Sequence, residues 1–225
     1  MKNFIRSVVA IIAGFSIHAS ALASSIVEYT FTSSTNATFA ATGVASTSVN
    51  GSRLSQFYIG TDGFGNVLEA YSANGTVTNA NNALASNSYF SLSVAASSGK
   101  LLDIASLSFE VAKGGDNDPR GYFVRSSVDN FSTNIFASTL PSGSRAAPSP
   151  VTIDLSQFAD QASIDFRIFV WQPFLSNSID FRNLSLAGSV VDSRIGQVPE
   201  PVTFLLLLTG LGAIVVTRRS GTIRS

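Results

Sequence analysis

The chain has 225 residues and no cysteine, and its only histidine and only methionine are His18 and Met1. Without cysteine there is no disulfide framework, so packing alone must hold the fold. The lack of Cys, and of His beyond residue 18, removes Ser-His-Asp and Cys-His nucleophiles, His-ligated zinc and thiolate metal sites. Oxygen ligands remain, and they suit calcium or magnesium rather than transition metals. Charge is sparse too, at 12% Asp, Glu, Lys and Arg. There is no basic stripe, which excludes nucleic acid as a partner. A helical apolar period is not sustained anywhere between the two ends.

The ends are distinctive. Lys2 and Arg6 precede an apolar run from Val8 to Ile17, and Ala21-Leu22-Ala23 follows. A basic segment, a short apolar segment and an Ala-x-Ala site read as a secretory signal peptide over residues 1–23, cleaved after Ala21 or Ala23. The alternative, an uncleaved anchor, is disfavoured because ten residues are too few to span a bilayer. At the other end, Pro199-Glu200-Pro201 precedes an uncharged span, Val202 to Thr217, closed by Arg218-Arg219. Sixteen helical residues rise about 24 Å, short of a hydrocarbon core of about 30 Å. Snorkelling arginines extend such a span and place the tail on the cytoplasmic side. A plain transmembrane anchor without processing is the alternative. Removing both ends changes the charge. All fourteen acidic residues lie between Ser24 and Glu200 against nine Lys and Arg, leaving that part near −5.

The middle, residues 24–188, is rich in Ser, Thr, Asn, Ala and Gly, weak helix formers that suit short strands and turns. Strand-like segments recur at Val27/Tyr29/Phe31, Leu54 to Ile59, Phe90/Leu92/Val94, Leu107/Phe109/Val111, Gly121 to Val128, Ile153/Leu155, Ile164 to Trp171 and Ile179 to Leu186, most with period-2 alternation. About eight such segments predict an all-β antiparallel sandwich of jelly-roll type. Residues 33–51 and 60–87 read as long loops that could add edge strands. Residues 189–197 read as a polar linker, and 198–225 as the C-terminal signal.

The tail resembles a PEP-CTERM sorting signal through Pro199, Glu200, Pro201, the span 202–217, Arg218 and Arg219. That family occurs on exported proteins of exopolysaccharide-producing Gram-negative bacteria. The resemblance implies processing by an exosortase, a membrane-tethered intermediate, and a final place at the cell surface or in the extracellular matrix. Tyr89 to Val94, Leu107 to Gly115, Pro119 to Phe131 and Ile179 to Gly188 resemble a β-sandwich module frequent beside such tails. The last of these also resembles carbohydrate-binding and lectin-like jelly rolls, whose site motifs are not matched here.

Candidate chemistry is thin. Asp116-Asn117-Asp118 after Gly114-Gly115 is the densest oxygen-ligand cluster, although an ordinary solvated turn uses the same residues. Glu28 with Asp180 is a second candidate for structural calcium, carried by fold analogy alone. Trp171 and Tyr122, with Phe174, are candidates for a sugar platform against the plainer reading of core aromatics. A glycosidase needs two paired carboxylates. Asp103, Glu110, Asp154, Asp165 and Asp180 exist, but the alternation turns Glu110, Asp165 and Asp180 outward as a solvated face. The expectation is therefore a non-enzymatic surface or matrix protein without a cofactor. A carbohydrate-binding module is the alternative, and a carboxylate-dependent hydrolase a weaker one.

Overall fold

The computed structural model describes residues 23–73, 77–115, 118–173 and 178–193. In chain order the elements are β1 (Ser24–Tyr29), β2 (Phe39–Ala40), β3 (Val44–Ser46), β4 (Asn50–Ser52), β5 (Gln56–Asp62) and β6 (Gly65–Tyr71). There follow α1 (Ala80–Ser86), β7 (Tyr89–Ala96), β8 (Lys100–Gly114), β9 (Arg120–Ser126), β10 (Phe136–Leu140), β11 (Ser149–Gln161), β12 (Ser163–Trp171) and β13 (Ser178–Asp192). Two antiparallel sheets form a β-sandwich of jelly-roll type, as the alternation predicts.

The first sheet runs β11-β8-β13-β1-β2. The β5–β6 hairpin joins it where β6 pairs with the start of β13, through Ile179–Ala70, Asp180–Glu69 and Phe181–Leu68. The second sheet runs β10-β9-β12-β7-β3, with β4 also on β7. Between them lies one main core, including Tyr29, Phe90, Leu92, Phe109, Tyr122, Phe166 and Phe181. Phe181 meets Phe90, Phe109 and Tyr122 edge-on at centroid distances of 4.9–5.6 Å, so one ring ties three other strands together. A smaller cluster of Val77, Ala83, Phe123 and Phe169 lies on the outer face of the second sheet, beneath α1.

Residues 33–51 supply β2, β3 and β4, which are the edge strands that region could hold. Residues 60–87 differ more from expectation. Val67 and Leu68 are adjacent yet both buried, so β6 has no clean alternation to read. Helix α1 is only seven residues, too short to display a period; it is defined by its caps. Asn79 accepts from the Asn82 amide, and Asn87 closes the helix at φ 52°. The polar stretch after 188 is not linker from its start, because β13 continues to Asp192 against Leu101 and Lys100. Residues 1–22 of the segment 1–23 that reads as a signal peptide, Asp116, Asn117, Phe174 and the whole segment 198–225 that reads as a sorting signal lie outside the described residues. Ala23 is described and exposed. Among the described residues no helix is long and apolar enough to cross a membrane.

Candidate functional site

The outer face of the first sheet carries an unusual concentration of polar and aromatic groups where the β5–β6 hairpin meets β13. Strand alternation puts Tyr58, Gly60 and Asp62 of β5 on that face, beside Glu69 and Tyr71 of β6 and Ser178, Asp180 and Arg182 of β13. Glu69 stands between Tyr58 on one side and Asp180 on the other.

The tyrosines are held as a unit. The Tyr58 and Tyr71 rings stack with centroids 6.0 Å apart and planes 19° apart. Both hydroxyls donate to the same carboxylate oxygen, Glu69 Oε2, at 2.8 and 2.9 Å. The Tyr71 hydroxyl and then Glu69 push the Tyr58 phenol well above its ordinary range, so it remains a neutral donor. Tyr58 is 45% exposed, and Phe64 at the hairpin turn is 49% exposed. Gly60 stands between Tyr58 and Asp62 with no side chain, and a Cβ there would sit 3.7 Å from Glu69 Oε1. The result is an open step beside an aromatic pair and a carboxylate oxygen.

Beneath the turn lies an ionic knot. Asp62 Oδ1 accepts the Phe64 amide at 2.8 Å, and Oδ2 accepts from both Arg145 and Arg182. Asp180 accepts the Ser178 hydroxyl at 2.6 Å and Arg145 Nη2 at 2.9 Å. The Arg145 and Arg182 guanidiniums also lie 5.7 and 6.0 Å from the Phe64 ring centre. Burial pushes the Asp180 carboxyl up from its ordinary value. For Asp62 burial acts the same way, but the Phe64 amide and the two arginines outweigh it and hold the carboxyl low. Arg182 is 1% exposed, and its Nε and Nη1 are buried without a partner. Arg145 comes from the 141–148 connection. Lys113 Nζ anchors that segment by donating to the carbonyls of Pro141 and Gly143 at 2.7 and 2.5 Å. Arg120 is fully buried between the sheets and binds the carbonyls of Gly114 and Ser178. The knot thus fixes the hairpin to the body, and the exposed aromatics ride on a rigid base.

The sequence candidates are placed elsewhere. Tyr122 is 1% exposed and belongs to the core between the sheets. Trp171 is half-buried on the opposite face of the same sheet, against the α1 cluster. It lies over Gly121, where a Cβ would come 2.6 Å from its ring. The two rings point to opposite faces and form no common platform, because they occupy adjacent register steps, Val170–Tyr122 and Trp171–Gly121. Glu28 and Asp180 are not brought together either. Glu28 stands opposite Ser185, five residues along β13 from Asp180, or about 15 Å at the strand rise. Asp180 is engaged with Arg145 and Ser178 rather than with another acid. Of the Gly-rich cluster only Asp118 is described, and its carbonyl accepts from Arg120 Nε at 3.4 Å. Among the described residues no three acids converge as a metal site. Asp154 accepts the nearby Ser156 amide, and Asp103 of β8 accepts the Asp160 amide of the neighbouring β11.

The residues that do assemble were readable in part. Tyr58-Ile59-Gly60-Thr61-Asp62 alternates, and Asp62-Gly63-Phe64-Gly65 is a turn composition. What the sequence does not contain is the contact of this hairpin with Arg145, which is 83 residues from Asp62.

No protein-family model matches the chain, and no curated protein matches it. Several solved structures are similar. A mannan-recognising carbohydrate-binding module is 10% identical, with 75% of this chain and 99% of that one covered and a TM-score of 0.39. A cleaved adhesin domain of Lys-gingipain from Porphyromonas gingivalis is 10% identical, covering 71% and 95%, with a TM-score of 0.37. A family 11 carbohydrate-binding module from Clostridium thermocellum, in complex with a mixed-linked tetrasaccharide, is 15% identical, covering 76% and 100%, with a TM-score of 0.35. A likeness this distant extends to neither site nor ligand.

Proposed function

We propose that the chain is an exported, non-enzymatic protein of the cell surface or extracellular matrix that holds polysaccharide on the outer face of its β5–β6 hairpin. The observation that carries this reading is the stacked Tyr58–Tyr71 pair with both hydroxyls on Glu69 Oε2. Sugar rings offer apolar C–H faces and a rim of hydroxyls. A preorganised aromatic surface beside fixed carboxylate and phenol oxygens meets both, and rigidity lowers the entropic cost of binding. Gly60 places no side chain beside Glu69 Oε1, where a Cβ would come to 3.7 Å. A hydrolase reading is less well supported. Asp62 and Asp180 are both tied to Arg145, and Glu69 is occupied by two phenols, so these three acids do not supply a free pair.

Export and sorting belong to the same proposal and rest on the two ends of the sequence. The basic and apolar segment before Ala23 would direct secretion. Pro199-Glu200-Pro201, the span 202–217 and Arg218-Arg219 would hold the chain in the inner membrane until an exosortase-type enzyme acts. Replacement of Pro199, Glu200 and Pro201 by alanine is expected to leave the full-length tethered form accumulating in the membrane fraction of the producing cell. Normal processing of that variant would overturn the sorting part. A glycan array probed with the full chain tests the binding part. Retention of neutral polysaccharides is expected, and an array without any retained glycan would overturn it.

A further inference from the structure

The outer face of the second sheet, opposite to the hairpin site, holds two arginines that form no ion pair among the described residues. Arg125 of β9 and Arg167 of β12 are direct cross-strand partners. Like charges so placed are destabilising, and sheets ordinarily relieve them with an acidic neighbour. Here, among the described residues, neither arginine has a carboxylate within 4.0 Å. The nearest acid of the adjoining loop is committed elsewhere. Asp129 accepts the amides and hydroxyls of Ser132 and Thr133, with the Thr133 hydroxyl foremost in drawing its carboxyl down to about 2.

The same loop organises the pair. Asn130 and Phe131 both adopt left-handed backbone, at φ 57° and 58°. For a phenylalanine this conformation is strained, and such strain concentrates at functional positions. It brings the Phe131 carbonyl onto Arg125 Nη1 at 2.7 Å and its ring beneath Arg167, 3.7 Å from the guanidinium carbon. Arg125 Nε is further fixed by Asn134 Oδ1 at 2.7 Å. Tyr89 stands on the other side of Arg167, 4.9 Å from ring centre to guanidinium. Arg167 is therefore positioned by two rings, and its hydrogen-bonding edge donates to no described residue. Both arginines are half-buried, so the pair remains open to solvent on one side.

From this geometry we propose that Arg125 and Arg167 form a carboxylate-binding site for an acidic polysaccharide, a second saccharide site independent of the hairpin. The pair supplies planar, forked donors that match a carboxylate, with charge complementarity and without side-chain reorganisation. The surroundings select the polymer. Asp165 lies two residues from Arg167 on the same face, about 7 Å away at the strand rise. It borders a depression of about 150 Å³ lined also by Ala45, Ala95, Thr47, Ser93 and Ser163, whose surface is mostly apolar. A ligand with closely spaced phosphates or sulfates would meet Asp165 and a domain near −5, whereas a chain with sparse acids between neutral rings would lay apolar C–H faces there with few hydroxyls beside them.

The test uses the full chain and polygalacturonate at low ionic strength, with fully methyl-esterified polygalacturonate and dextran sulfate as comparators. Polygalacturonate is expected to bind, and esterification, which removes only the charge, to weaken binding at least tenfold. Arg167→Gln is expected to cause a similar loss while melting within a few degrees of the wild type, since Arg167 donates to no described residue and relief of its repulsion with Arg125 offsets the lost contacts with Phe131 and Tyr89, and Arg167→Lys an intermediate one. The titrations are repeated in a Tyr58→Ala background, where charge-dependent binding that is still lost on adding Arg167→Gln separates this site from the hairpin site. No binding by the wild type, equal binding of the esterified polymer, tighter binding of dextran sulfate, or full affinity in Arg167→Gln would each overturn the site.

Discussion

Replacing Asp62 by alanine is expected to destabilise the protein by about 3 kcal/mol, a fall in melting temperature of roughly 6–12 °C for a domain of this size. The cost comes from what the substitution leaves behind. Arg182 is 1% exposed and already has two unpartnered nitrogens. Among the described residues its one close acceptor is Asp62 Oδ2, since Asp180 Oδ2 lies 4.0 Å away. Without Asp62 the guanidinium is a buried charge with no hydrogen bond, the costly half of a broken ion pair. The Phe64 amide loses its acceptor as well, so the hairpin turn loosens along with the aromatic surface. The converse follows from the same reasoning. Arg182→Met removes the charge together with its desolvation cost, and in the background of Asp62→Ala it should restore most of the lost stability. Asp180 keeps Arg145 and Ser178 in that double variant. Chemical denaturation of the two single variants and the double variant gives the coupling directly. Simple additivity would mean that the knot contributes nothing as a unit.

Phe181→Ala is expected to be at least as damaging, at about 3–5 kcal/mol. The ring is fully buried and contacts Phe109 in its own sheet and Phe90 and Tyr122 in the facing one. These edge-to-face contacts add to the loss of buried area, and the cavity cannot close without moving both sheets. Phe181→Leu keeps most of the volume and should cost under about 1.5 kcal/mol. Phe181 also lies between Asp180 and Arg182 in sequence, so its packing sets the position of the two charged groups on the opposite face. Thermal unfolding of both variants distinguishes a central core residue from a peripheral one, and equal effects of Leu and Ala would place it at the periphery.

The fold was legible because period-2 alternation is a direct consequence of one face meeting a core. Phe90/Leu92/Val94, Leu107/Phe109/Val111 and Ile164/Phe166/Ile168 are all buried on the faces their spacing assigns. Legibility failed where a segment is buried on both sides, as at Val67 and Leu68. The outward acids illustrate a second limit. Asp180 does face away from the core, yet it is 1% exposed because the hairpin and the 141–148 connection cover it. Alternation gives the face of a residue and says nothing about what another segment lays over that face. Trp171 and Tyr122 show the same limit from the other side. Each is a plausible binding aromatic by type, but neighbouring register positions on β9 and β12 send them to opposite faces. Tyr58 and Tyr71 became a pair through the hairpin register and a single carboxylate, Glu69, while Phe64 is placed over the arginines by the turn.

The central claim is that the Tyr58–Tyr71–Glu69 unit holds a saccharide. It is tested most directly by calorimetric titration of the full chain with a neutral polysaccharide retained on the array, repeated for Tyr58→Ala and Glu69→Gln. Tyr58→Ala should cut affinity at least tenfold, about 1.4 kcal/mol, while the fold melts within a few degrees of the wild type. Glu69→Gln should weaken binding by a smaller factor, since an amide oxygen still accepts from the phenols. Unchanged affinity in Tyr58→Ala, with the fold intact, would contradict the account.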